Sequence, residues 1–191
     1  MLKIFPTSRF TEAKILVVDD APINLKLICA KLTASGYTQV VTAADGAEGV
    51  EVTRRINPDL VLLDIMMPNL DGFGYLEQIR SDPTIAHMPV IVQTALKDRE
   101  TKIRALSCGA DDFLNKPLDL EEVALRVHIH LERFFILQHV DAVRGQLKLE
   151  LEHANETIKH LESGMSESDR ELLTRHYDTL KTIAAPIGGS H

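Results

Sequence analysis

Between Lys14 and Asn115, short apolar runs alternate with stretches whose apolar residues recur every three or four positions. The runs are ILVV at 15–18, VVTA at 40–43, LVLL at 60–63, VIVQ at 90–93 and DFLN at 112–115, each of strand length. The stretches between them, 21–35, 46–56, 71–81 and 98–108, read as helices; Leu25, Ile28, Cys29 and Leu32 put apolar groups on one face of the first. Runs such as LVLL are apolar at both alternating positions, so these strands are covered on two faces, as in a parallel sheet flanked by helices. The punctuation agrees. Pro22 suits a first helical turn, Gly36 a helix stop, and Asn57-Pro58 a break before the third strand. The expected fold is α/β, a doubly wound five-stranded parallel sheet.

After Pro117 the pattern changes. A helical periodicity starting at Asp119 meets no Gly or Pro until Gly145 and little to stop it before Ser163-Gly164. Counting in sevens from Leu137 places Leu137, Val140, Arg144, Leu147, Leu151, Ala154, Ile158, Leu161 and Met165 on one seam, all apolar but Arg144. Such a seam predicts a coiled coil continuous with the last helix of the βα repeat. Gly145 and sparse flanking charge pairs leave open an amphipathic helix lying on its own domain. Ser168 and Glu171 have capping-box spacing for a further short helix reaching about Ile183, and APIGGSH reads as a flexible tail. The expected organisation is a lead-in at 1–12, the βα domain at 13–130, a helical linker at 131–165 and a short helix with tail at 166–191.

The 191 residues suffice for one well-buried domain plus an appendage. No apolar run approaches the ~20 residues that cross a bilayer, and the N-terminus has no apolar stretch of signal-peptide type, so no membrane partner and a cytoplasmic location are expected. Cys29 and Cys108 lie in apolar helical patterns and read as structural thiols. A formal net charge of -7 argues against nucleic-acid backbone as the main partner and suits cation binding better.

In open parallel sheets, ligands bind at the carboxyl ends of strands. Here those ends carry Asp19-Asp20, Asp64, Thr94 and Lys116 followed by Pro117. One acid after a strand is ordinarily a turn or cap residue; the set together points to chemistry. If Asp19, Asp20 and Asp64 converge, each pair repels by roughly 4 kcal/mol at ~4 Å and an effective dielectric near 20, so a cation is required. Hard oxygen ligands suit Mg²⁺ (or Mn²⁺), Lys116 adds a second positive charge, and Thr94 offers a hydroxyl. A carboxylate so placed can act as nucleophile toward phosphorus.

The segments ILVVDD, LVLLDIMMPNLDGFGYL, PVIVQTA and GADDFLNKPLDLEEV resemble the receiver domain of two-component response regulators over residues 13–130. The resemblance implies the flavodoxin-like strand order 2-1-3-4-5. It implies phosphorylation of Asp64 by a sensor histidine kinase or phosphotransfer protein, the domain catalysing only its own phosphorylation and dephosphorylation. It also implies Mg²⁺ held by Asp20 with support from Asp19, by Asp64 and by the backbone carbonyl of Met66. Thr94 and Lys116 match the residues that contact the phosphoryl group, Pro117 a position that commonly follows a cis bond, and Phe113 the aromatic partner of Thr94 in the switch. Met66 and Leu96 stand where family members steer attacking water, so slow loss of the phosphoryl group is expected. Gln93 is polar where the family is apolar.

Other classes fit less well. A haloacid-dehalogenase-type hydrolase would need an acid where Met66 stands, no glycine is followed by lysine as in a P-loop, and no GxGxxG occurs. His128 and His130 point apart on a helix and make a poor metal pair. The C-terminal segment matches no GGDEF, EAL or His-Asp effector. The output is therefore expected to pass through the surface of the fourth helix, fifth strand and fifth helix of the repeat to a homodimer of the C-terminal helices, to an effector elsewhere, or to an unknown partner. A four-helix phosphotransfer module around His176 has thin support from two short helices, and a constitutive dimeric scaffold that never uses Asp64 is the competing class.

Overall fold

The computed structural model describes residues 7–94, 99–164, 166–169, 171–172 and 174–176. Its elements are α1 (Thr7–Thr11), β1 (Lys14–Val18), α2 (Pro22–Ala34), β2 (Gln39–Ala43), α3 (Gly46–Ile56), β3 (Leu60–Asp64), α4 (Gly72–Arg80), β4 (Val90–Thr94), α5 (Arg99–Ser107), β5 (Asp112–Asn115) and α6 (Leu120–Ser163). The five strands form one parallel sheet in the order β2-β1-β3-β4-β5. Because α1 precedes the repeat, the repeat's fourth and fifth helices are α5 and α6.

The two-residue period of the strands divides the core between the two faces of the sheet. Leu16, Val18, Val61, Leu63, Val90 and Val92 face Val50 of α3, Tyr75, Leu76 and Ile79 of α4, and Ala105 of α5. Their neighbours Ile15, Val17, Leu60, Leu62 and Ile91 face Ile28 and Leu32 of α2 and Val123, Val127 and Leu131 of α6. This double covering is why the strands are nearly continuous apolar runs. A buried polar pair is satisfied within the first core: Thr53 donates its hydroxyl to the Gly49 carbonyl (2.8 Å) and accepts from the Tyr75 hydroxyl (2.7 Å).

The chain divides into two compact units, residues 1–139 and 140–191. The first extends past residue 130 because Phe134 and Phe135 of α6 are core residues. Helix α1, within the segment read as a lead-in, belongs to this unit. Phe10 packs on Phe135 and His128, the Arg9 guanidinium lies 4.6 Å from the Phe135 ring centroid, and Thr38 donates its N–H and hydroxyl to the Thr11 carbonyl. In the second unit, α6 runs helical to Ser163, and a further helical stretch begins at Glu167. The cap there is Ser166, whose hydroxyl accepts from the Asp169 N–H, two residues ahead of the Ser168 read from spacing. Met165, Leu96 and the reach toward Ile183 lie outside the described residues.

Candidate functional site

Three strands deliver acids and a lysine to one point. Asp19, fully buried, follows β1; its N–H donates to the Ala43 carbonyl, which fixes the backbone there. Its carboxylate accepts from the Ala21 N–H (2.9 Å), from the Asn24 side-chain nitrogen Nδ2 (3.0 Å to each oxygen) and from Lys116 Nζ (3.0 Å). Asp64 closes β3 and is 3% exposed. Its Oδ2 accepts from Lys116 Nζ at 2.5 Å and its Oδ1 from the Met66 N–H at 3.2 Å. Asp20 is exposed, and Asp19, Asp20 and Asp64 each offer a carboxylate oxygen within 4.8 Å of the others. Thr94, buried, ends β4 next door, and its carbonyl accepts from the Lys116 N–H at 2.8 Å. The Lys116–Pro117 peptide bond is cis.

The loop after Asp64 is held by short polar contacts. The Gly72 N–H donates to the Ile65 carbonyl, and a Cβ at Gly72 would lie 2.5 Å from the Asp64 carbonyl oxygen, so only glycine allows this approach. Asp71 caps α4 by accepting from the Gly74 N–H, and Asn69 donates its amide to Asp45, the cap of α3. Met66, in this loop, has its side chain largely in solvent at 62% exposure.

Three carboxylates against one lysine leave the site short of positive charge. Burial raises the Asp64 carboxyl above the usual carboxylate range and Asp19 adds to the rise, while Lys116 and the Met66 N–H pull the other way. Burial alone would lower the Lys116 ammonium, but its bonds to Asp64 and Asp19 outweigh that and hold it above its ordinary value. The donor set fits a hard divalent cation, being all oxygen with Asp20 open to solvent.

Of the residues read from sequence, Asp19, Asp20, Asp64, Met66, Thr94 and Lys116 all lie at this corner. Phe113 is half buried on β5 with the Lys102 ammonium 4.6 Å from its ring centroid. Asn24, which grips both oxygens of Asp19, was not read; its only signal is an Asn in a first helical turn five residues after the acid. The two histidines part as their spacing requires: His130 Nε2 lies 3.0 Å from Asp112 Oδ2, and the His128 ring packs at a tilt against Phe10. Both thiols are free and half buried. No helix among the described residues is long and apolar enough to cross a membrane.

Comparison with known proteins gives one consistent family. The model for the response regulator receiver domain matches residues 15–128. The response regulator PleD of Caulobacter vibrioides is 45% identical over 133 residues, 70% of this chain and 28% of PleD. The DNA-binding dual master transcriptional regulator RpaA of Synechocystis is 40% identical over 120 residues, covering 63% of this chain and 49% of RpaA. The chain thus spans between about a quarter and a half of these relatives' length. Among solved structures, the receiver domain of Francisella response regulator 1452 superposes with a TM-score of 0.60 at 35% identity, over 64% of this chain and 98% of that one. The receiver domain of a Pseudomonas aeruginosa sensor histidine kinase, with a magnesium ion coordinated in its active-site cleft, superposes with a TM-score of 0.59 at 30% identity, over 63% and 98%.

Proposed function

The chain belongs to the response regulator receiver family, and on that premise we propose that it carries a phosphoryl signal on Asp64, received from a sensor histidine kinase or a phosphotransfer protein in the cytoplasm. In the transfer, an Asp64 carboxylate oxygen forms a bond to phosphorus as the P–N bond of the donor phosphohistidine breaks. Asp19, Asp20, Asp64 and the Met66 backbone carbonyl would hold Mg²⁺, which would supply positive charge against the phosphoryl oxygens. Lys116 exchanges its bond to Asp64 Oδ2 for a phosphoryl oxygen, keeping its hold on Asp19, and the Thr94 hydroxyl donates to another. The observation that carries this reading is the meeting of buried Asp64 with Lys116 at 2.5 Å, beside two further acids, at the carboxyl ends of adjacent strands.

The output follows from the same corner. Movement of Thr94 toward the phosphoryl group opens room for the Phe113 ring to turn inward, away from Lys102, and this reshapes the surface of α5, β5 and α6. That surface exposes Ile103, Leu106, Leu125 and Ile129, and it carries Asp112 bonded to both Arg126 and His130. Farther along α6, Val140, Leu147, Leu151, Ile158 and Leu161 stand exposed on the heptad seam, which supports homodimerisation through this helix. Incubation with acetyl phosphate and Mg²⁺, followed by intact-mass spectrometry, tests the reading. One phosphoryl increment is expected, lost with EDTA or in Asp64→Asn; an unmodified wild-type chain overturns it.

A further inference from the structure

Helix α5 is attached to the domain unlike its neighbour. Helix α4 sinks Tyr75, Leu76 and Ile79 into the core, whereas Ala105 is the one buried side chain among those described on α5. Two cations make up the difference. The Arg104 guanidinium lies 3.9 Å from the centroid of the Phe73 ring of α4, and the Lys102 ammonium lies 4.6 Å from the centroid of the Phe113 ring of β5. Phe113 pairs in register with Val92 of β4, and the strand period puts Thr94, two residues on, on the same face of the sheet. Phe113 therefore stands diagonally across from Thr94, half buried at the edge of the core that holds Val92 and Ala105, with Lys102 over its ring.

We propose that the Lys102 ammonium holds the Phe113 ring in its outward position, so that Lys102 sets how readily the switch responds when Asp64 is phosphorylated. This rests on the reading of Asp64 as phosphoacceptor and of Phe113 as the ring that follows Thr94. An inward turn carries the ring away from the cation, and the contact is given up. One partly exposed cation–ring contact favours the outward ring about two- to fivefold. A ligand that needs the inward ring, the minority position at rest, then binds more weakly by the same factor. Lys102 is not among the partners of Asp64 and acts through Phe113, as a positioning residue. The sign of its effect separates this role from simple attraction. A cation near the site draws an anion in, so loss of its charge alone would weaken anion binding, whereas release of the ring strengthens it.

Calorimetric titration of the full chain with beryllofluoride, an anionic phosphoryl mimic, in saturating Mg²⁺ tests it, alongside carbon NMR of protein labelled on its phenylalanine rings. Phe113→Leu assigns the Phe113 resonances. Lys102→Met, neutral and of similar length, should tighten beryllofluoride about two- to fivefold. Before any Mg²⁺ or beryllofluoride is added, it should also move the Phe113 resonances part of the way to their bound positions. Lys102→Arg keeps a cation over the ring and should behave as wild type in both measurements. In a Phe113→Leu background, Lys102→Met should no longer tighten binding. Weaker or unchanged binding in Lys102→Met overturns the proposal, as does tightening that persists without the ring. Equal tightening in Arg104→Met, which removes the other contact and leaves Lys102 in place, would assign the effect to a loosened α5 and overturns it too. A wild-type chain that binds no beryllofluoride overturns the reading of Asp64, and the proposal with it.

Discussion

Gln93 lies on the interior strand β4 with no exposed surface, and neither its amide nitrogen nor its oxygen has a hydrogen-bond partner among the described residues, so replacing it by methionine should stabilise the protein. Its strand partners are Asp64 and Leu114, and it shares a face with Ile91, the side whose core is built from Leu62, Leu114, Val123 and Val127. A buried polar group left without a partner costs about 1–3 kcal/mol. Methionine matches glutamine in length and volume, so repacking costs little, under about 1.5 kcal/mol. The net gain is about 1–2 kcal/mol, or roughly 5 °C in melting temperature for a unit of this size. Urea and thermal unfolding at pH 7, followed by tyrosine fluorescence, would measure it, since Tyr37 and Tyr75 are core residues. The denaturant slope should stay constant while the midpoint rises. Gln93→Leu, slightly smaller, should gain less. An unchanged or lower midpoint in Gln93→Met would show that the amide finds partners in solution and would refute the reasoning.

Arg80 donates to the carbonyls of Gly109, Ala86 and Met88 and pairs with Asp111, so Arg80→Ala should cost about 3–5 kcal/mol in urea unfolding, and Arg80→Lys should recover only part. Gly72→Ala forces a Cβ against the Asp64 carbonyl and should weaken Mg²⁺ binding measured by calorimetry, whereas Gly145→Ala should not. Asp64 has a raised carboxyl, so its contribution to metal-free stability is fully present below the ordinary carboxylate range and is lost as pH rises through the raised value. Mg²⁺ at ten times its dissociation constant should restore about 1.4 kcal/mol near pH 7, and this gain should fade on acidification before an ordinary carboxylate would protonate. With Met66 beside the acceptor, the phosphorylated protein should lose its phosphoryl group over minutes or longer in a mass-spectrometric time course; decay in seconds contradicts that.

The sheet was legible because β1, β3 and β4 are buried on both faces and read as apolar runs, while the partly exposed edge strands β2 and β5 still keep short apolar stretches; all five lie within a residue of the runs in the sequence. The site was legible for a related reason, since Asp19, Asp64, Thr94 and Lys116 interrupt apolar runs where the topology opens. Helix α1 was not legible. Its five residues are too few for periodicity, and it is held by Phe10 and Arg9 against α6, a contact that only the tertiary fold creates. Arg80 gave no signal in the sequence, because its partners are backbone carbonyls of the loop at 86–88 and of Gly109, which only the fold brings around it. Asn24 escaped notice for the same reason, its partner being fixed by the fold and not by spacing.

Borohydride reduction of the chain after treatment with acetyl phosphate and Mg²⁺, followed by peptide sequencing, tests the central claim most directly, because reduction converts a phosphorylated aspartate to homoserine. Homoserine at position 64 alone, absent when Mg²⁺ is withheld, is the expected result. Homoserine at Asp19, Asp20 or elsewhere, or none at position 64, would contradict the assignment of Asp64 as the phosphoacceptor.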